Sequence, residues 1–237
     1  MTTYRINRAS DPDDLARRAS DFIATRISLT LEQRERCQIA LSGGSTPARA
    51  YSLLGREHLP WDRVDVMLGD ERWVDAEDES SNARMLRSTL LASEPGSRAA
   101  FHAVPTVELA SAEASAEAFG LSVSKLCEGE PPIFDLMLLG LGDDGHTASL
   151  FPGTEAAKVT DRWATVGRGK GLERITLTAP VLCAARQVVF LVSGAGKQVA
   201  LKRLIDPAES PERTPAKLVS SSQEIVIFAD ADAVSDL

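Results

Sequence analysis

The chain has 237 residues, of which 43% are hydrophobic and 25% are charged. This length and balance are typical of a single globular domain spanning residues 1–237, and they exclude a disordered or fibrous chain. The formal net charge of -8 argues against a nucleic acid partner, because nucleic-acid-binding proteins usually concentrate Lys and Arg on one face. An anionic ligand therefore has to be met by local cations.

Neither export nor membrane insertion is expected. The N-terminal residues contain no apolar run of the kind found in signal peptides, and no stretch approaches the length that crosses a bilayer. Cys37, Cys127 and Cys183 are far apart and lie in apolar runs, so they suggest neither a disulfide framework nor a metal site. These features predict a cytoplasmic protein with buried thiols.

Apolar periodicity and turn residues predict alternating helices and strands. In chain order, the predicted elements are a proline-initiated helix 12–27, a strand 37–41, a helix 48–54, a strand 64–68, a helix beginning near 81–82, a helix 109–126, strands 133–139, 163–166, 175–177 and 188–192, a helix after 196 and a strand 224–228. Continuous apolar strands separated by helices imply a mostly parallel sheet flanked by helices on both faces, a Rossmann-like, doubly wound α/β fold. Ligands bind such sheets outside the carboxyl ends of the strands.

The first candidate site is the glycine turn after strand 37–41, which reads Ser-Gly-Gly-Ser-Thr-Pro. Gly43 and Gly44 let the backbone approach a ligand, Thr46 is the expected N-cap, and Pro47 suits the first helical position. Free N–H groups at a helix start attract a phosphate or sugar hydroxyls. A tight turn without a ligand explains this segment equally well when it is taken alone. The turn matches neither the dinucleotide-binding nor the P-loop glycine pattern.

Charged residues at strand ends form a second group of candidates. Asp70, Glu71 and Arg72 follow a predicted strand. Arg72 offers a planar fork of donors to a phosphate, while Asp70 or Glu71 could orient it or a sugar hydroxyl. Arg174 and Lys197 also lie at strand–loop junctions, where they could converge with Arg72 on a dianion. Taken singly, each charge is more often a solvated surface group.

His146 is the candidate base. It is one of three histidines, and it alone follows a buried strand within a glycine-rich loop. An imidazole can take and return a proton at neutral pH, and Asp144, two residues earlier, could orient it and stabilise its charged form. A purely structural histidine is an equally good interpretation of these residues alone. No GxSxG motif and no paired histidine ligands are present, so neither a serine nucleophile nor a required metal is expected.

Together these segments closely resemble the 6-phosphogluconolactonase family, which is related to glucosamine-6-phosphate deaminases and isomerases. The matching blocks are LSGGSTP at 41–47, GDERWV at 69–74, SNARML at 81–86, LGLGDDGHTASLFPG at 139–153, RITLT at 174–178 and VSGAGK at 192–197. The resemblance implies that His146 is the general base, supported by Asp144. The substrate-binding residues expected on this basis are Gly43, Gly44, Ser45, Thr46, Asp70, Arg72, Asn82, Arg174 and Lys197.

The activity implied by the resemblance is hydrolysis of the small molecule 6-phosphogluconolactone to 6-phosphogluconate, the second step of the oxidative pentose phosphate pathway. Because a six-membered lactone is already reactive, no cofactor, metal or covalent intermediate is expected. The protein is expected to be a monomer or a weak homo-oligomer without nucleic acid or membrane partners. The basic, glycine-rich segment 167–171 departs from the lactonase pattern, and it is expected to be a mobile loop that borders the site.

Two alternatives stay open. The deaminase branch shares the glycine turn, the acidic pair and the DGH element, but its motif has a glutamate three residues beyond the alanine, where this chain has Phe151. A non-catalytic sugar-phosphate sensor would usually carry a basic DNA-binding helix, and the acidic N-terminus offers none. The lactonase is therefore preferred.

Overall fold

The computed structural model describes residues 2–235 and 237. Its helices and strands in chain order are β1 (Tyr4–Ala9), α1 (Pro12–Leu31), β2 (Cys37–Leu41), α2 (Ser45–Leu54), β3 (Val64–Leu68), β4 (Asp70–Arg72), α3 (Asn82–Ser88), β5 (Ala100–Phe101), α4 (Ala112–Leu126), β6 (Leu136–Gly140), β7 (Ala164–Gly169), β8 (Leu172–Leu177), α5 (Ala179–Ala184), β9 (Val188–Val192), α6 (Gln198–Ile205) and β10 (Ile225–Asp230). Short 3₁₀ turns lie at Trp61–Arg63, Gly96–Arg98, Glu155–Lys158, Ala195–Lys197 and Pro215–Leu218.

The main sheet has seven parallel strands in the order β1-β10-β9-β6-β2-β3-β5. Every residue of β2, β3, β9 and β10 is buried. A strand that is buried along its whole length has both faces covered, because successive side chains point to opposite faces of the sheet. The predicted fold, a mostly parallel sheet flanked by helices, is confirmed.

The order in which strands are added reverses between β2 and β6. From β2 the chain adds β3 and then β5 on one side, and it next places β6 on the other side of β2. Such a switch point opens a crevice outside the carboxyl ends of the strands. Because β9, β6, β2 and β3 are neighbours, the loops that follow these four strands meet at one edge of the sheet.

A second sheet has three antiparallel strands in the order β4-β8-β7. Its strand β4 follows β3 in the chain after a single residue. The candidate residues Asp70–Arg72 form a strand of this sheet, and the segment 167–171, expected to be a mobile loop, forms the end of the β7–β8 hairpin. The pairing of β4 with β8 joins distant parts of the chain, so no local pattern predicts it. The same sheet places Arg174 inside β8, whereas the sequence suggested that Arg174 lies at the start of a strand.

The start of α2 differs from the expectation. Gly44 occupies the N-cap with a φ of 116°, and the helix begins at Ser45. Thr46 therefore lies inside the first turn, and the expectation that it caps the helix is wrong. Pro47 is the third helical residue, where a missing N–H is still tolerated because the first N–H groups of a helix have no intrahelical acceptor. A glycine reaches this positive φ without the steric cost that a threonine would bear.

Other element boundaries follow from specific contacts. Asp11 caps α1 by accepting the N–H groups of Asp13 and Asp14, as its place before Pro12 predicted. The strand expected over 133–139 begins only at residue 136, and α4 begins after its N-cap Ser111. The short strands β1 and β5 and the helix α5 were not predicted. They are brief or partly exposed, so they lack the continuous apolar runs that marked the central strands.

Two of the three cysteines fit the expectation of buried thiols. Cys37 and Cys127 are buried, and burial raises the pKa of each to about 12. Cys183 is only half-buried, so the expectation fails there. None of the three forms a disulfide bond. Among the residues that the structure describes, no helix combines the length and the apolar character needed to span a bilayer.

Leu138→Ala should destabilise the protein by about 2–5 kcal/mol, because it removes a fully buried side chain from the middle of β6 and leaves a cavity. Leu121→Ala is the matched control, since Leu121 lies on α4 and is 57% exposed, and it should change stability by less than about 0.5 kcal/mol. Urea-induced unfolding measures both. Equal destabilisation by the two changes would contradict the assigned core.

Candidate active site

The loop after β6 is held by its own backbone. Gly142 donates its N–H to the His146 carbonyl oxygen at 2.8 Å, and Gly145 donates its N–H to the Gly142 carbonyl oxygen at 3.0 Å. The Thr147 hydroxyl donates to the Gly140 carbonyl oxygen at 2.8 Å and ties the end of the loop back to the strand. The loop therefore closes tightly on itself, which fixes the position of the imidazole.

The His146 side chain is paired with Asp144. His146 Nδ1 lies 2.5 Å from Asp144 Oδ1, and the His146 backbone N–H donates to the same oxygen at 3.0 Å. Because an ionised carboxylate can only accept hydrogen bonds, Nδ1 carries the proton and Nε2 keeps its lone pair. The contact expected between these two residues is present, and it selects the tautomer that a general base needs.

Burial and charge act on this pair in opposite directions. Burial lowers the pKa of His146, and the hydrogen bond and negative charge of Asp144 offset only part of this effect. Burial raises the pKa of Asp144, but the hydrogen bonds from the backbone and ring of His146 outweigh it and leave this pKa below its usual range. At neutral pH the pair is therefore a neutral imidazole beside a carboxylate.

Two arginines are opposite each other in the second sheet. Arg72 on β4 is the register partner of Arg174 on β8. Arg174 Nη1 lies 3.8 Å from Asp70 Oδ2, and this carboxylate oxygen also accepts a hydrogen bond from Ser149 Oγ at 2.5 Å. Arg72 donates through Nη1 to the carbonyl oxygen of Ser80. Asp70 thus contacts the Arg174 guanidinium, and the Ser80 carbonyl oxygen contacts that of Arg72.

Each guanidinium keeps an unused donor. Within residues 2–235 and 237, the Nε atoms of Arg72 and Arg174 are buried and have no hydrogen-bond partner. Burial lowers the pKa of Arg174, the charge of Asp70 opposes that effect, and the charge of Arg72 adds to it. An anion that accepts from both side chains would satisfy the donors and relieve the repulsion between like charges. These properties suit a phosphate site.

Glu71 serves the fold of this region. Its buried carboxylate accepts the backbone N–H groups of Arg72, Asn82 and Ala83 at 2.7–2.8 Å, and the Ser81 hydroxyl at 3.1 Å. Burial raises the pKa of Glu71, and the three backbone N–H bonds oppose the rise. The carboxylate is therefore engaged at the N-terminus of α3, so of the two acidic candidates only Asp70 keeps a place beside an arginine.

Asn82 connects two of the loops at the carboxyl edge. Its Nδ2 donates to the Asp70 carbonyl oxygen at 2.8 Å. The side chain also lies against Gly43, where a Cβ atom would be 1.8 Å from Asn82 Oδ1. The glycine turn after β2 and the segment after β3 therefore meet through this amide, which agrees with the sequence-based grouping of Gly43, Asp70 and Asn82.

Two lysines lie near the loop that follows β6. Lys170, at the turn of the β7–β8 hairpin, has its Nζ 3.5 Å from Asp143 Oδ1. The charge of Lys170, and to a smaller extent that of Lys197, lowers the pKa of Asp143. Lys197, which the sequence grouped with Arg72 as a candidate phosphate ligand, thus lies near the loop that carries His146. Lys170 was not singled out from the sequence.

The remaining candidates lie at the N-terminus of α2. Gly44 is its N-cap, and Ser45 and Thr46 are its first two residues, so their N–H groups have no intrahelical acceptor. Ser42, just before them, has a buried Oγ without a hydrogen-bond partner among the described residues. Ser42 and Ser149 lie in segments that the sequence marked as candidates, but no role was predicted for either side chain, because residue type alone does not show that a serine hydroxyl is buried.

The cavities that lie elsewhere in the molecule do not include the His146–Asp144 pair or the two arginines. A cavity of about 920 Å³ lies between α4, the turn at 155–158 and β7, and His146 and the two arginines are not among its lining residues. Several of its charged side chains are paired, for example Arg168 with Glu113. Among residues 2–235 and 237, no group of three or more His, Cys, Asp or Glu side chains is placed to hold a metal ion.

A histidine–aspartate pair lies at the carboxyl edge of the doubly wound sheet, and two arginines of the small sheet have buried Nε donors without partners among the described residues. This arrangement suits an enzyme that acts on a small anionic molecule. The model of the glucosamine-6-phosphate isomerases/6-phosphogluconolactonase family matches residues 10–228, so the chain belongs to this family. It is 42% identical to a 6-phosphogluconolactonase from Synechocystis, with 94% of each chain covered, and 39% identical to one from Nostoc, with 96% of this chain and 95% of the relative covered. The crystal structure of a 6-phosphogluconolactonase from Shewanella baltica superposes with a TM-score of 0.87 at 28% identity and covers 98% of each chain.

Gly142→Ala should displace the imidazole, because the new Cβ would lie 2.0 Å from His146 Nδ1 and 2.6 Å from Asp144 Oδ1. We expect lactone hydrolysis, the activity for which the relatives are named, to fall by about 10²-fold, since small displacements of a catalytic group are costly. Gly140→Ala is the control, because no atom lies within 4 Å of its Cβ position. Wild-type activity in Gly142→Ala would contradict the geometry of the pair.

Proposed function

We propose that this protein hydrolyses 6-phosphogluconolactone to 6-phosphogluconate, the second step of the oxidative pentose phosphate pathway. The observation that carries the proposal is the 2.5 Å contact between His146 Nδ1 and Asp144 Oδ1 at the carboxyl end of β6. Membership in the family and the printed names of the relatives support the same reaction. We further propose that the enzyme works as a monomer or weak homo-oligomer in the cytoplasm.

His146 is the general base of the proposed reaction. Its Nε2 removes a proton from a water molecule as the water oxygen attacks the lactone carbonyl carbon, and a tetrahedral oxyanion forms. Asp144 accepts the Nδ1–H bond throughout and stabilises the imidazolium that the proton transfer creates. The imidazolium then returns its proton to the ring oxygen as the carbon–oxygen bond breaks. No covalent intermediate is needed.

The developing oxyanion requires hydrogen-bond donors. The N–H groups at the start of α2, in the Ser45–Thr46 turn, have no intrahelical acceptor and lie at the same edge of the sheet as His146. Donors held in place before the reaction stabilise a transition-state charge more than mobile water does. In this proposal the glycine turn therefore serves the reacting carbonyl or the neighbouring sugar hydroxyls.

Arg72, Arg174 and Lys197 bind the phosphate of the substrate. The unused Nε donors of the two arginines support this assignment, because a dianion can satisfy both. Asp70 holds Arg174 by its contact at 3.8 Å and thereby sets the direction of the guanidinium. The phosphate thus explains why a chain of net charge -8 places several cations at one edge of its sheet.

The deaminase alternative is disfavoured at one position. Residue 151, where that branch is expected to carry a ring-opening glutamate, is a phenylalanine whose ring lies 4.4 Å from the His146 ring between centroids. A phenyl ring can neither donate nor accept the proton that ring opening requires. The hydrolytic reaction makes no demand on a second acid at this position.

Purified wild-type protein should accelerate the disappearance of 6-phosphogluconolactone above its spontaneous hydrolysis, and the acceleration should persist in EDTA. His146→Gln should lower kcat by about 10²- to 10⁴-fold, because it removes the general base and keeps the size of the side chain. His58→Gln is the matched control, since His58 is exposed on the loop after α2. Near-normal turnover in His146→Gln, with retained circular dichroism, would rule out the assigned base.

Arg72→Ala should mainly raise KM for the phosphorylated lactone, by about 10-fold or more, because a charge-assisted hydrogen bond to phosphate is lost. Hydrolysis of unphosphorylated gluconolactone should change little. Arg98→Ala is the control, since Arg98 pairs with Asp62 near the amino end of β3, opposite the proposed site. Equal loss with both lactones would show that Arg72 does not read the phosphate.

A further inference from the structure

The ring of Phe151 contacts two of the candidate site residues. Its centroid is 4.4 Å from that of the His146 ring, with 34° between the ring planes. The Arg174 Cζ atom lies over the same ring, 5.4 Å from its centroid. These distances are within the range of aromatic stacking and of cation–π attraction, so the phenyl ring contacts the proposed base and a proposed phosphate ligand at once.

Independent contacts hold this ring in place. The Phe151 carbonyl oxygen accepts hydrogen bonds from Thr154 N at 3.2 Å and from Thr154 Oγ1 at 2.8 Å. Gly169 on β7 leaves the space for the ring, because a Cβ there would lie 2.5–2.7 Å from three of its carbon atoms. The residue is only 5% exposed. The position of the ring is therefore fixed by backbone and neighbouring strand, and it does not depend on His146.

We propose that Phe151 is a positioning residue of the reaction, which clamps the His146 imidazole against Asp144 and shields it from water while it supports Arg174 without neutralising that charge. This inference rests on the proposed lactonase activity and deepens it. A carboxylate in this position would pair with Arg174 and compete with the phosphate, and an aliphatic side chain would give no flat surface to the imidazole. A phenyl ring does neither.

The charged groups around His146 determine how the loss of this shielding would change the pKa of His146. Asp144 on the same loop and Asp70 on β4 favour the protonated imidazole, whereas Lys170 on the β7–β8 hairpin disfavours it. The largest effect on the pKa of His146 is burial, which lowers it. Phe151 supplies apolar cover to the imidazole, with which its ring is tilted by 34° at 4.4 Å between centroids. Without that cover, the charges of Asp144 and Asp70 should have the larger effect on the pKa of His146, and this pKa should rise.

Phe151→Ala tests the proposal through two readouts. The His146 pKa, followed by NMR titration of the ring C–H signals, should rise by about half a unit or more, because water reaches the cation and the carboxylates remain. The acid limb of kcat/KM should move to higher pH by the same amount, so the loss of activity should be larger at pH 6 than at pH 8. Phe151→Leu keeps apolar volume without a flat ring, and it should give a smaller shift in the same direction.

Phe101→Leu is the matched control, since Phe101 on β5 also lies under an arginine, with Arg87 Cζ 5.8 Å from its centroid, but far from the catalytic loop along the sheet order. It should leave the titration of His146 unchanged, and His58 and His102 are internal references in every variant. An activity loss that is equal at all pH values, with an unchanged His146 pKa in both Phe151 variants, would overturn the proposal.

The lactonase activity and the role of Phe151 can be tested separately. Should the wild-type protein not hydrolyse the lactone while the His146 titration still shifts in Phe151→Ala, the proposed function is wrong, and only the shielding of the His146 imidazole by Phe151 stands. Should the lactone be hydrolysed while the titration stays fixed in both Phe151 variants, the function stands and Phe151 is a packing residue. Phe151→Leu keeps this comparison possible even if Phe151→Ala does not fold.

Discussion

The parallel alignment of β9, β6, β2 and β3 is the constraint on which the candidate site depends. Neighbouring parallel strands end at the same edge of the sheet, so the loops that follow them lie close together there even when they are distant in the chain. The reversal between β2 and β6 places the glycine turn and the histidine loop at the switch point of the sheet, where folds of this kind bind ligands. Since all these strands are buried, the core that stabilises the sheet also fixes the geometry of the edge.

The small antiparallel sheet adds what the parallel sheet cannot supply. β-Pairing of β4 with β8 sets Arg72 beside Arg174, a like-charge neighbour that is unfavourable in a sheet without a counterion. Asp70 offsets part of this cost, yet its oxygen is shared with Ser149, and both arginine Nε atoms stay unpaired among the described residues. Buried donors without acceptors lower the stability of the fold. An anionic ligand that accepts from them would offset this cost.

Much of the fold was predictable because the central strands are continuous apolar runs: β2, β3 and β9 have the predicted bounds. The grouping of Asp144 with His146 was predictable since they share one loop. The pairing of β4 with β8 was not, because antiparallel contacts between distant segments leave no local periodicity. The cap of α2 was assigned to Thr46 on residue preference, whereas the positive φ before the helix selects Gly44. Ser149 and the ring stacking of Phe151 depend on side-chain directions that only the assembled sheets determine.

The protonation of His146 shows how fold and chemistry are coupled. The Asp144 carboxylate alone would favour an imidazolium, which cannot accept a proton from water, so a base that is well oriented by a carboxylate risks being charged already. Burial resolves this conflict, because it lowers the pKa of His146 by more than Asp144 raises it. The imidazole sits in a loop closed by the Gly142 N–H, and its ring lies 4.4 Å from that of Phe151 between centroids. Burial in the packed fold thus favours the neutral imidazole, which is the form that the proposed reaction requires.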